Sequence, residues 1–451
     1  MKELVVILGA GESGVGAAIL AKDRGYDVFV SDFGTISEKY LRTLQQENIP
    51  FEQQTHTMER ILSASLVVKS PGIGEHTPVM RAIRAASIPV VSEIEFAGRF
   101  SSSRMICITG SNGKTTTTLL THHILRSAGI DAGLAGNVGR SLALQVAREP
   151  HPVYVIELSS FQLDDMYDFR ADIAVMLNIT PDHLDRYDHR MENYVEAKFR
   201  ILRNTGPGQA FVYWAGDPVM KQRMERGIPP VSLYPFDAHP APGLTAFADG
   251  GHITVHAGKY GLEMDRDRLS LPGIHNLYNS LAAATVACLM DIHPDDIARA
   301  LADFPAVEHR LEPVCELDGV RYINDSKATN VDSTYYALGS MTTPTVLILG
   351  GKDKGNDYSQ ILPAVREKVR AIVAMGLDND KIVDFFSPSV PVESTHSLEQ
   401  AIEACRRLAH KGDTVLLSPC CASFDLFTSY EDRGRRFKQA VRSLADRKED
   451  I

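Results

Sequence analysis

The stretch that most constrains this chain is Ile106-Cys107-Ile108-Thr109-Gly110-Ser111-Asn112-Gly113-Lys114-Thr115-Thr116. A short run rich in β-branched residues stops at a glycine loop, Lys-Thr follows, and an amphipathic run (Leu119, Leu120, Ile124, Leu125) ends at Gly129. The order is strand, loop, helix. Glycines let backbone N–H groups turn toward phosphate oxygens, the helix N-terminus adds positive potential, and Lys114 supplies a point charge. Thr115 offers a hydroxyl for Mg2+. The usual phosphate loop has a further glycine five residues before Gly113, where this chain has Ile108. Spacing alone is also that of an ordinary strand-to-helix turn.

A second glycine turn opens the chain. Leu4-Val5-Val6-Ile7-Leu8 runs into Gly9-Ala10-Gly11-Glu12-Ser13-Gly14, and Asp32 closes the next apolar run, Val28-Phe29-Val30. That is a Rossmann-like pattern, with a pyrophosphate expected over the helix start. A dinucleotide and a nucleotide-sugar fit it equally. Leu66-Val67-Val68 ends in Ser70-Pro71-Gly72-Ile73-Gly74, either a third wall of the same crevice or a plain Pro/Gly turn.

The small polar run Phe100-Ser101-Ser102-Ser103 marks a boundary. Beyond it, Val153 to Ile156 leads into Glu157-Leu158-Ser159-Ser160-Phe161-Gln162, and Ile173 to Leu177 leads into Asn178-Ile179-Thr180-Pro181-Asp182-His183-Leu184-Asp185. In a parallel sheet, Glu157 and His183 then face the phosphates held by Lys114, and a carboxylate there can hold Mg2+. A lone histidine after a strand is more often structural, but its place beside the loop makes His183 a candidate. The run Asn193 to Leu202 reads as a helix, and its Lys198, taken alone, reads as a solvated surface lysine. Residues 205–270 read as a peripheral β element without chemistry. Asn276 and Asn279 precede an alanine-rich helix, Ser280 to Met290, one turn apart. They either face one ligand or cap the helix. Phe304-Pro305 marks a second boundary. After it come Tyr322-Ile323-Asn324-Asp325-Ser326-Lys327-Ala328-Thr329-Asn330 and three parallel-type strands. These end in Gly350-Gly351-Lys352-Asp353-Lys354, in Gly376, and in Ser418-Pro419-Cys420-Cys421-Ala422-Ser423-Phe424-Asp425.

The expected fold is α/β in three domains. Residues 1–101 form a Rossmann-like domain, 102–306 a central phosphate-loop domain with a mostly parallel sheet and a small β element, and 307–451 a second Rossmann-like domain. The net charge of −10 and the absence of a basic block exclude a nucleic-acid partner. No apolar run reaches membrane-span length, and the start is too short and too soon interrupted for a signal peptide. The six cysteines form no CxxC pair, so free thiols in a reducing cytoplasm are expected.

Taken together, these stretches resemble the Mur ligase family of peptidoglycan-precursor enzymes over essentially the whole chain. That family's phosphate loop has the short form Thr-Gly-Ser/Thr-Asn-Gly-Lys-Thr/Ser-Thr, which accounts for Ile108. Asn324 to Asn330 and Ser418 to Asp425 are similar to its D-glutamate-adding branch, and the Asp-Asn-Pro-Arg stretch of the diamino-acid-adding branch is missing. The resemblance implies an ATP-dependent ligase joining D-glutamate to UDP-N-acetylmuramoyl-L-alanine through an acyl phosphate, acting as a cytoplasmic monomer with two Mg2+ ions.

By the same resemblance, Gly110, Ser111, Asn112, Gly113, Lys114, Thr115 and Thr116 would hold the ATP phosphates. Asn276, Asn279, Arg310 and Asp325 would meet the rest of that nucleotide. Thr115, Glu157, His183 and a carbamylated Lys198 would hold the metals, with Lys114, Glu157, His183 and Lys198 catalytic. Glu12, Ser13, Asp32 and Gly72 would contact the UDP part, while Asn137 and His183 would lie nearer the reacting end. Lys327, Thr329, Lys354, Ser423 and Tyr430 would receive D-glutamate, with Lys352 a rival to Lys354. Phe33-Gly34 depart from the Thr-Arg that some members carry after the acidic residue. The rival readings are another ATP-dependent amino-acid ligase, such as folylpolyglutamate synthase or a sister Mur ligase, and a non-catalytic nucleotide-responsive binding protein on the same fold.

Overall fold

The computed structural model describes residues 2–305, 307–353 and 355–449. Among them the strands form three sheets, one to each of three α/β domains. The first sheet contains β1 (Leu4–Leu8), β2 (Asp27–Asp32), β3 (Phe51–Gln53), β4 (Leu66–Lys69) and β5 (Val90–Ser92) in the order β3-β2-β1-β4-β5, all parallel. Val5 to Leu8 are buried on both faces, which is what a central parallel strand covered by helices requires. The chain order reverses between β1 and β4, so the crevice outside their carboxyl ends is the expected nucleotide position.

The second sheet holds β6 (Arg104–Thr109), β7 (Ala132–Gly136), β8 (Val153–Glu157), β9 (Ile173–Met176), β10 (Ala210–Trp214), β11 (Ser232–Phe236), β12 (Ala246–Asp249), β13 (His252–Val255) and β14 (Leu262–Asp265). Its order is β14-β13-β12-β11-β10-β9-β6-β8-β7, with β6 flanked by β8 and β9 at the switch point. The region 205–270 forms the outer flank of this sheet, from β10 to the edge strand β14, rather than a separate layer. The apolar run of β10 pairs in parallel with β9, with Phe211 and Val212 fully buried, and only the pairs β12–β13 and β13–β14 are antiparallel. The third sheet holds β15 (Glu312–Leu317), β16 (Val320–Asn324), β17 (Thr345–Gly350), β18 (Val369–Met375), β19 (Val392–Thr395) and β20 (Thr414–Cys420) in the order β15-β16-β20-β17-β18-β19, parallel except for β15. Its two faces carry separate cores in strict alternation. Leu347, Leu349, Ile372 and Leu416 lie in one, and Val346, Ile348, Val373 and Leu417 in the other.

Two compact units result. Residues 1–269 and 278–304 form the first, and 270–277 with 305–451 the second. Within the first unit, one hydrophobic core runs from Val5, Ile7 and Val30 of the first sheet to Cys107, Ile156 and Ala174 of the second. The helix Glu12–Asp23 packs so closely on the helix Leu142–Arg148 that a Cβ on Gly16 would collide with the Ser141 hydroxyl. No helix of the described residues is long and apolar enough to cross a membrane.

Candidate active site

At the end of β6, the Thr109 hydroxyl donates to the Leu158 carbonyl at 2.8 Å and the chain turns through Gly110 to Gly113 into the helix Lys114–Ser127. Gly113 has φ 84°, and a Cβ there would strike the side-chain oxygen of Asn279, so both backbone and space demand glycine. The segment after β9 clamps the loop. Asn178 accepts from the Ser111 N–H through its carbonyl at 2.8 Å and from the Asn112 N–H through Oδ1 at 2.8 Å. Its Nδ2 donates back to the Asn112 carbonyl at 3.0 Å. The Ser111 hydroxyl donates to the Thr180 carbonyl at 2.8 Å and accepts from the Thr180 N–H at 2.9 Å. Lys114 Nζ folds back onto the Gly110 and Ser111 carbonyls, both at 2.9 Å. Thr115 and Thr116 occupy the first helical turn, and Thr117 donates to Asn279 Oδ1 at 3.1 Å.

Glu157 ends β8 beside Ile108 and is 1% exposed. Asn137 Nδ2 donates to its Oε1 at 2.9 Å, whereas Oε2 is buried with no hydrogen-bond partner. An orphaned carboxylate oxygen next to a phosphate loop is costly by itself and suits a divalent cation. Among the described residues no three His, Cys, Asp or Glu side chains gather to hold a metal. Any cation here would take its remaining ligands from hydroxyls, water and phosphate, as Mg2+ does.

The helix Met191–Phe199 turns Lys198 inward, which corrects the surface reading: the side chain is 1% exposed. Its Nζ donates to the Gly110 carbonyl at 2.7 Å and lies 4.5 Å from the centre of the Tyr194 ring, one turn earlier. Burial, and then the nearby Lys114 charge, hold this ammonium well below its ordinary range, while Asp182 pulls the other way. His183 has φ 54°, its N–H donates to Asp182 Oδ1 at 2.9 Å, and its ring meets Phe161 edge-on at 5.2 Å. The Arg186 guanidinium lies 4.4 Å from the Phe161 centroid and donates to the Pro71 and Gly72 carbonyls at 3.2 and 3.4 Å. The Gly72 loop and the Asn178 to Tyr187 segment therefore meet.

At the first glycine turn, Asp32 Oδ2 accepts from the Ala10 N–H at 2.6 Å and Oδ1 from the Gly34 N–H at 2.7 Å. Glu12 accepts from Tyr40 at 3.1 Å and from the Ser141 N–H at 3.4 Å, and Ser13 sits in the same first helical turn. Asn276 and Asn279 both lie inside the helix Ile274–Leu289, which starts earlier than the alanine run suggests. Asn276 donates to the Pro272 carbonyl at 2.8 Å in the second unit, while Asn279 belongs to the first.

In the second unit, Asp325 follows β16 and accepts from Ser418 at 2.8 Å and from the Leu311 N–H at 3.2 Å. Burial pushes its carboxyl up to about 7, although Arg310 and Arg433 oppose this. Arg310 is held between His309 and Leu311, both at positive φ. Lys327 Nζ stands 3.7 Å from the Tyr430 ring centroid, Ser423 is buried, and Thr329 is half-buried. Lys352 is exposed, with its N–H on the Ala422 carbonyl at 2.8 Å. Lys354 lies outside the described residues. Arg433, which sequence reasoning missed, is 1% exposed. It donates to Ser326 Oγ and the Ser326 carbonyl at 2.9 Å and to the Cys421 carbonyl at 3.2 Å, tying together the loops after β16 and β20. Asn178, Thr180 and Arg186 were also missed. The signal for the first two was their place just past a strand neighbouring the phosphate loop.

A phosphate loop and a second glycine turn, each at the carboxyl ends of parallel strands in its own sheet, define a multidomain nucleotide-binding α/β protein. Residues 3–92 match the Mur ligase MurD-like N-terminal domain, 108–287 the Mur ligase middle domain, and 309–421 the Mur ligase glutamate ligase domain. The UDP-N-acetylmuramoylalanine--D-glutamate ligase of Bacteroides fragilis is 57% identical over 98% of this chain and 99% of its own length. That of Bacteroides thetaiotaomicron is 55% identical over the same shares. A solved pseudomurein peptide ligase type C from Methanothermus fervidus shares the fold, with a TM-score of 0.62 at 19% identity over 98% of this chain and 100% of that one. The chain belongs to the Mur ligase family.

Proposed function

We propose that this chain joins D-glutamate to UDP-N-acetylmuramoyl-L-alanine in peptidoglycan-precursor synthesis, with ATP as co-substrate. The observation that carries the reading is its near full-length identity to the two Bacteroides D-glutamate ligases. An amide cannot form from a carboxylate and an amine at neutral pH without activation. The L-alanine carboxylate attacks the γ-phosphorus, giving an acyl phosphate and ADP. The D-glutamate amine, having lost its proton, attacks the carbonyl and phosphate leaves. Carboxylate and triphosphate are both anionic, so cations aimed at the developing charge dominate catalysis.

Lys114 exchanges its two carbonyl partners for phosphate oxygens, with the amides of Gly110 to Thr116 around it. Thr115 and the orphaned Glu157 oxygen are the fitting ligands for one Mg2+, and His183 with Lys198 for a second. Bound there, the two ions neutralise charge on the triphosphate. Lys198 would serve as a carbamate: its depressed ammonium releases a proton, the neutral nitrogen forms a bond to the carbon of CO2 as one C=O π pair moves onto oxygen, and the nitrogen then gives up a second proton to solvent, leaving an anion that suits a cation as an ammonium does not. Asn276, Asn279, Arg310 and Asp325 are assigned to ATP. Glu12, Ser13, Asp32 and Gly72 are assigned to UDP, and Asn137 with His183 to the substrate near its reacting end. Lys327, Thr329, Lys354, Ser423 and Tyr430 are assigned to the D-glutamate dianion. Domain boundaries near 101 and 306, a monomeric state and a cytoplasmic location complete the reading.

Phosphate release with ATP, Mg2+ and UDP-N-acetylmuramoyl-L-alanine tests it, comparing D-glutamate with L-glutamate, L-lysine, meso-diaminopimelate and D-Ala-D-Ala. Only D-glutamate should support turnover, and turnover with another amine in its place would overturn the assignment.

A further inference from the structure

Beside residues 70–74, four charged side chains close on themselves. Lys69 Nζ lies 3.0 Å from Glu75 Oε1, and Arg84 Nε lies 3.1 Å from Glu75 Oε2. Arg84 Nη2 lies 3.0 Å from Asp165 Oδ1, and Asp165 Oδ2 returns to Lys69 Nζ at 2.9 Å, as an ion pair rather than an aligned hydrogen bond. The signs alternate round this quartet and cancel. None of the four has a role in the site assigned above.

Two corners set the quartet apart from a surface cluster, whose pairs are worth little. Lys69 and Asp165 are only 4% and 3% exposed, and a buried charge left alone is strongly unfavourable, so each must keep a partner. Each corner also ties down a different segment. Lys69 ends β4, and its Nζ donates to the Ile73 carbonyl at 3.3 Å. Glu75 follows the turn, and Arg84 lies in the helix Pro78–Ala85. Asp165 follows the helix Ser160–Asp164, and its carbonyl accepts from the Ser92 N–H at the end of β5 at 2.8 Å. Residues 70–74 are thus clasped at both ends and joined to the segment that carries Phe161. Packing does not hold this side. A cavity of about 440 Å3 lies against the quartet, lined by its four members and by Gly74, Phe161 and Arg186.

We infer that Lys69, Glu75, Arg84 and Asp165 are positioning residues for the uridine substrate. Together they fix the spacing between the Gly72 turn and Phe161 before the ligand arrives, so that binding energy is not spent on ordering that wall. The inference rests on the reading of the chain as a ligase of UDP-N-acetylmuramoyl-L-alanine. A closed quartet acts as a unit: opening it at one corner loosens the whole, and a second cut adds little.

The test uses Glu75→Gln, Arg84→Gln and the double variant in the full chain. Both side chains are partly exposed, at 46% and 39%, so their replacement leaves the core intact. Each single variant should raise the KM for UDP-N-acetylmuramoyl-L-alanine by roughly 3- to 10-fold, the loss of about one charged contact. The double variant should match the singles, while kcat and the KM values for ATP and D-glutamate hold. Thermal melts run alongside, because a merely structural role would lower the midpoint and leave this KM where it was. An unchanged KM in the singles, a double effect equal to the product of the two, or a fall in kcat alone overturns the quartet and leaves the ligase reading standing. No turnover of the uridine substrate by the unaltered chain removes the ligase reading, and the quartet's role with it.

Discussion

Replacing Asn178 with alanine should weaken ATP while sparing the other substrates. Asn178 spends both side-chain amide atoms on one residue of the phosphate loop, accepting from the Asn112 N–H at 2.8 Å and donating to the Asn112 carbonyl at 3.0 Å. A neutral hydrogen bond contributes about 0.5–1.5 kcal/mol net, so the pair is worth roughly 1–3 kcal/mol to the loop's conformation. The Asn178 carbonyl keeps its bond to the Ser111 N–H in the variant, and Thr180 still grips Ser111. A residue of about 1–2 kcal/mol then falls on ATP binding, which must reassemble the loop, and raises its KM by roughly 5- to 30-fold. Asn178→Asp sharpens the argument. It keeps an acceptor for the Asn112 N–H but sets a carboxylate oxygen against the Asn112 carbonyl, so it should bind ATP no better than the alanine variant. Steady-state phosphate release gives the KM values, and hydrogen exchange over residues 110–113 should quicken in both variants. An unchanged KM for ATP in Asn178→Ala, or wild-type behaviour in Asn178→Asp, would refute the clamp.

Lys198→Ala should lose turnover that added short carboxylic acids partly restore, and full activity without them would sink the carbamate role. Glu93 is fully buried, and burial raises its carboxyl to about 7 against the hydrogen bonds from Ala143 and Ser141. The folded state therefore holds this proton more tightly than the unfolded one. Its contribution is complete below about pH 4 and is lost as pH rises through about 7, amounting to about 3 kcal/mol. Glu93→Gln keeps an acceptor and should remove that share of the stability drop in urea unfolding at pH 5 and pH 8; an identical drop in variant and wild type would contradict it. Arg433→Met strips four donor contacts from the Ser326 and Cys421 loops and leaves their carbonyls without these donors, so it should lower unfolding stability by about 1–3 kcal/mol in urea titration; an unchanged midpoint would show the guanidinium to be dispensable.

The strands that carry chemistry were legible because each apolar run stops at residues a strand interior avoids. The phosphate loop, Glu157 and the Asp32 turn could be placed from that alone. Lys198 could not. Its helix, Met191–Phe199, mixes Glu, Lys and aromatic residues on every side, so no periodicity shows which face is inward. Arg433 lies in Glu-Asp-Arg-Gly-Arg-Arg, where composition reads as a solvated face, and only the loop carbonyls that surround it explain its burial. Asn178 is a residue type common in turns, and nothing local distinguishes a turn from a clamp. In each case the deciding partner is backbone from a distant segment, which a one-dimensional pattern does not carry.

The joint within the first unit shows why such partners matter. A shared apolar core resists separation of two sheets but is non-directional, so by itself it leaves their relative register loose. Buried acids from the first sheet's side supply direction. Glu95 accepts from the N–H groups of Tyr167, Asp168 and Phe169 at 3.1, 3.1 and 2.8 Å, and Glu93 from the Ser141 hydroxyl and the Ala143 N–H at 2.6 Å each. Each acid needs those donors because a buried carboxyl without them is strongly unfavourable, so sliding by even one residue is penalised. Ser141 is thereby pinned at one end of a five-residue segment whose other end, Asn137, holds Glu157. The glycine turn of the first sheet and the orphaned oxygen beside the phosphate loop are thus set against each other through Glu12, Glu93, Ser141 and Asn137. A change at Glu93 that loosens this segment should appear at Glu157 as weaker Mg2+ dependence of ATP binding before it appears as global unfolding.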